Sequence, residues 1–101
     1  MLLAVALMMI GVPEDDPWVR VRARVASAPK PVRRFIERRA GCNHFLGEEP
    51  YDGERAAELE KAIQELRCAR IAQDERALRR AHKRDPSILR LLQETENLIG
   101  W

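Results

Sequence analysis

Cysteine is scarce in this chain, with two residues in 101, and aromatics number only five, Trp18, Phe35, Phe45, Tyr51 and Trp101. Two cysteines rule out a disulfide-dense scaffold and a four-cysteine zinc site. Five glycines, scattered along the chain, form no phosphate-cradling loop. There is no Ser/Gly-rich linker, no low-complexity tract and no internal repeat, so a second domain has nowhere to begin. Few aromatics and 34% charged residues leave a thin core for a single domain, and a covalent staple would then matter to stability. Excess charge is also missing. Eighteen Lys and Arg against sixteen Asp and Glu give +2, which argues against a dedicated polyanion binder.

The charge is nevertheless unevenly placed. Residues 17–41 carry eight basic and one acidic side chain, residues 42–65 two and seven, and residues 66–90 eight and three. Such blocks predict attraction between segments within the fold, or one basic face turned to a partner.

No apolar run is long enough to span a membrane. Met1–Val12 (MLLAVALMMIGV) has the length of a signal-peptide core but lacks a basic start, and no small-x-small cleavage site follows closely. It reads as the remnant of an export signal whose basic part lies upstream, or alternatively as an apolar N-terminal helix. Residues 13–101 then form the single helical domain.

Helix signals dominate that domain. Asp16-Pro17 and Asp85-Pro86 each pair a capping carboxylate with a proline at the first helical position, and Asp52 is a third cap. After Pro17, Trp18, Val21 and Val25 fall at helical spacing, while Val19, Val21, Ala23 and Val25 alternate with arginines as in a strand. The cap favours helix, and a lone strand would lack a partner. Pro31 restarts a helix with an apolar stripe of Val32, Phe35, Ile36 and Ala40, and Gly41 is expected to end it, placing Cys42 in the following loop. A long helix is expected from Asp52 to about Lys83, with room for a bend near Gln73-Asp74 but no proline to force one, and a last helix from Pro86 to Gly100. The predicted fold is an all-α bundle of three to four helices.

The chemistry-bearing residues gather at Cys42-Asn43-His44-Phe45-Leu46-Gly47-Glu48-Glu49-Pro50-Tyr51-Asp52. A bond between Cys42 and Cys68 would close a loop of about 25 residues, which the chain-entropy model values at roughly 3.5 kcal/mol. Two free thiols, with Cys68 packed as a small apolar residue, are the alternative if the chain stays in a reducing compartment. A Cys42, His44, Cys68, His82 metal site lacks the close ligand pairs such sites use, so no metal and no cofactor are predicted. His44 is expected to steady the loop by hydrogen bonding to backbone or to Glu48 or Glu49. Those carboxylates, adjacent in an extended loop, point apart and suit the positive end of the next helix better than acid–base catalysis. A Cys42–His44 nucleophile lacks an orienting third residue and an oxyanion donor, so no catalytic residue is assigned. The runs Arg33-Arg34…Arg38-Arg39 and Arg79-Arg80…Lys83-Arg84 leave nucleic-acid binding as an alternative.

Through Phe35–Phe45, Gly47–Asp52 and Leu66-Arg67-Cys68, the chain resembles small bacterial proteins of no assigned activity that carry an export signal. The resemblance covers about the middle third, implies export and with it the Cys42–Cys68 pairing, and implies no catalytic residue. The combined expectation is a periplasmic or secreted, disulfide-stapled module that binds or inhibits another envelope protein. Its candidate surface is His44, Phe45, Glu48, Glu49 and Tyr51.

Overall fold

The computed structural model describes residues 16–100, and the expectation for residues 1–12 lies outside that range. Among the described residues the chain is all helical: α1 Pro17–Ser27, α2 Lys30–Leu46, α3 Gly53–Glu65, a short 3-10 turn Cys68–Arg70, α4 Ile71–Ala81 and α5 Pro86–Glu94. The three aspartate caps form as the sequence indicates. Asp16 accepts from the Trp18 amide at 2.9 Å, Asp52 from Arg55 at 2.8 Å, and Asp85 from Ser87 and Ile88 at 3.2 and 3.3 Å. Each satisfies amides that the first helical turn leaves unpaired.

Helix α2 is the hub, packing against α1, α3, α4 and α5. Its stripe Val32, Phe35, Ile36 and Ala40 meets Val25 of α1, Ile88, Leu91 and Leu92 of α5, and Leu98 beyond it in one buried cluster. Val21, Ala28, Ile71 and Leu78 pack around its edge. Of the α3 side chains only Leu59 is buried.

Three boundaries differ from the sequence expectation. Gly41 does not end α2, which continues to Leu46, so Cys42 is helical and buried rather than in the loop. The glycine is there for approach: a Cβ on it would stand 3.1 Å from Cδ1 of Leu66, at the end of α3.

The long helix is not continuous, and its break falls at Leu66-Arg67, not at Gln73-Asp74. Arg67 adopts φ 52° and ψ 50°, left-handed, and is the one non-glycine residue with positive φ among the described residues. That split accounts for five helices instead of three to four.

The last helix stops at Glu94. There the Thr95 hydroxyl donates to the Leu91 carbonyl at 2.7 Å, and the Asn43 amide donates to the carbonyls of Glu96 and Leu98 at 3.1 and 2.8 Å. With those groups satisfied from α2, the chain runs on alongside it, and the Gly100 amide donates to the Ala40 carbonyl at 2.9 Å. Leu98 stays buried in this segment, whereas Ile99 is turned outward.

Candidate functional site

The expected staple is present. Cys42 and Cys68 are joined as a disulfide with Cα atoms separated by 5.7 Å, linking the C-terminal part of α2 to the turn between α3 and α4. That Cα separation is usual for a disulfide. Cys42 is buried, and Cys68 is half-buried. With both sulfurs bonded, neither is a thiolate, and the Cys42–His44 nucleophile has no attacking atom.

Arg38, one turn before Cys42, reinforces the same junction. Its Nε donates to the Leu66 carbonyl at 2.7 Å, and one Nη reaches the Arg67 carbonyl at 3.4 Å and Asp74 Oδ2 at 2.6 Å. A single guanidinium thus caps the end of α3 and grips the start of α4. The Arg38 hydrogen bond holds the Asp74 carboxyl below its usual range.

Arg39 does the equivalent work toward the core. Its side chain is buried at 4% exposure, yet it pairs with Glu75 at 2.9 Å and donates to the Leu92 carbonyl at 2.7 Å and the Thr95 hydroxyl at 3.0 Å. The Phe35 ring faces its guanidinium at 5.0 Å, and Nε has no hydrogen-bond partner. Burial pulls its pKa below the ordinary arginine value, and Glu75 acts in the opposite direction. Glu75 also accepts from Arg79 at 2.9 Å, so α2, α4 and α5 meet in one network.

The connection from α2 to α3 is short, Gly47 to Asp52, and fixed at both ends. Arg55 holds Glu48 with two parallel bonds of 2.6 and 2.7 Å, and reaches Glu58 at 3.1 Å. The Arg55 hydrogen bond lowers the Glu48 pKa below the ordinary glutamate value, and the same bond raises that of Arg55. Glu48 is therefore a structural anchor.

The other candidate residues divide between the helix and the loop. His44 and Phe45 belong to the last turn of α2, with their rings edge to face at 5.0 Å. No hydrogen bond joins His44 to Glu48 or Glu49, contrary to the expected loop-steadying role. A cleft of about 400 Å3 runs past Glu37, Gly41, His44, Phe45 and Gly100. Glu49 points to solvent, and Tyr51 is 82% exposed, with Leu46 62% exposed at the end of α2. Among the described residues no group of three or more His, Cys, Asp or Glu is placed to hold a metal ion. None of their helices is long and apolar enough to cross a membrane.

Arg38 and Arg39, for which the sequence leaves both pairing between segments and a phosphate-facing run open, pair inside the fold with Asp74 and Glu75. The signal was available. Arg39 lies four residues after Phe35 and seven after Val32, inside the buried stripe. Arg79 is likewise engaged with Glu75, so each arginine run loses part of its free charge to the fold. No protein family, curated protein or solved structure matches the chain.

Proposed function

We propose that this protein is a non-enzymatic binding module of the bacterial periplasm or of secreted material, acting on another protein through the α2–α3 connection. One observation carries the reading: Tyr51 on the connection and Leu46 at the end of α2 are 82% and 62% exposed, beside a backbone held by the Glu48–Arg55 pair and the Asp52 cap. Large apolar side chains held toward water on rigid backbone pay little ordering entropy on binding. Glu49 and His44 flank them and would set charge and orientation, while Glu48 keeps the backbone in place through Arg55. The apolar start of the chain and the cysteine pairing both suit an oxidising compartment.

A photo-crosslinking residue placed at Tyr51, in cells of the native host, tests this reading against the same residue at exposed Arg76 on α4. The expected result is one discrete adduct from position 51, absent from position 76 and lost when Leu46→Ser is added. Equal labelling from both positions, or none from position 51, would refute it. Thermal unfolding of each variant should match the parent within about 0.5 kcal/mol, because the substituted side chains are exposed.

A further inference from the structure

The break between α3 and α4 is imposed from outside the segment that contains it. Residues 54–84 include no glycine and no proline, and Glu60 to Gln73 is composed of good helix formers with only Ile63, Cys68 and Ile71 below average. Left to itself, this stretch should run as one helix. Arg67 nevertheless takes a left-handed conformation that is costly for any residue with a Cβ. Two ties from α2 hold it there: the Cys42–Cys68 bond next to it, and Arg38, which donates to the carbonyls of Leu66 and Arg67.

The ties are unequal on the two sides of the break. Helix α4 is anchored independently of these ties through Arg39–Glu75, Ile71 and Leu78. Helix α3 buries Leu59 alone, and a 13-residue helix has little stability of its own in water.

We propose that the disulfide is a redox-operated clamp, and that its reduction lets Arg67 return to right-handed helix so that α3 and α4 join into one rod. A dithiol supplies the two electrons. Its thiolate attacks Sγ of half-buried Cys68, and Cys42 leaves as a thiolate that takes up a proton. The second dithiol sulfur then displaces Cys68, which is also protonated, and the reductant departs as its own disulfide. Cys42 is fixed within α2, so Cys68 is the partner that moves. The connection Gly47–Asp52 keeps Gly53 within about 24 Å of Leu46 even when fully extended, at roughly 3.4 Å per residue step. The clamp is a property of the fold and does not depend on the connection being a binding surface.

The test is backbone NMR of the full chain before and after dithiothreitol, with the 13Cα shift of Arg67 as the reporter. Reduction should move that shift from the left-handed to the helical range and abolish the nuclear Overhauser contact between Leu66 and Gly41. Amide exchange over residues 54–65 should rise at least about tenfold while the core amides of α2 and α5 stay protected. Arg67→Gly, which favours the left-handed form, should resist the change, and Arg38→Ala should enhance it. A reduced protein that keeps Arg67 left-handed, or one that unfolds throughout, would overturn the proposal.

Discussion

At position 39 a guanidinium occupies a place that the helical repeat reserves for an aliphatic side chain. Removing one partner of a buried ion pair leaves the other without compensation, so Arg39→Ala should lower unfolding free energy by about 3 kcal/mol. Arg39→Met should recover much of that loss, because it fills the volume and needs no partner, although Glu75 keeps Arg79. Urea titrations of the two variants, compared with the parent, measure both effects. Glu48 is a second residue whose role is set by its partner. Its folded pKa lies below the ordinary value of 4.5 because Arg55 hydrogen-bonds the ionised form. The contribution is therefore complete above about pH 4.5 and fades as pH falls through the lower, folded value. Glu48→Gln should flatten the acid side of a stability-against-pH curve and leave its shape above pH 6 unchanged. An unaltered acid limb would mean that the pair contributes nothing.

The starts of α1, α3 and α5 were legible in the sequence and the ends of α2, α3 and α5 were not, for a physical reason that particular residues show. Asp16, Asp52 and Asp85 satisfy amides two or three positions away, so each start is a local event readable from a few letters. Replacing Asp85 by Ala should cost about 1 kcal/mol and fray the first turn of α5, as amide exchange at Ser87 and Ile88 would report. The ends depend on distant groups. Helix α3 stops because Arg38 and Cys42, nearly thirty positions earlier, take hold of its last turn, and α5 stops with Asn43 satisfying the carbonyls beyond it. Gly41 misled for the same reason, since the close approach it permits is to Leu66 rather than to a turn. The cysteine pairing could be read only together with the export reading, since two free thiols suit a reducing compartment equally. The division between pinned Glu48 and free Tyr51 could not be read, because it rests on where Arg55 reaches.

Across the whole molecule, α2 gathers every other helix, and its two faces do so by different means. One face closes over an apolar cluster with α1 and α5. The other holds α3 and α4 through a disulfide and two arginines, whose partners Asp74 and Glu75 are acids within the otherwise basic segment 66–90 rather than in the acidic one. Losing the cross-link in a Cys42→Ala/Cys68→Ala variant should lower unfolding free energy by about 3.5 kcal/mol, a large fraction of what so small a domain has available. The bond itself is the claim on which the display surface and the clamp both stand. Trypsin digestion without reductant, of protein recovered from its native host, examines it directly. Cleavage after Arg39, Arg55, Arg67 and Arg70 should yield Ala40–Arg55 linked to Cys68–Arg70 as one species that separates on reduction. Recovery of the two peptides apart, each with an alkylatable thiol, would contradict the account.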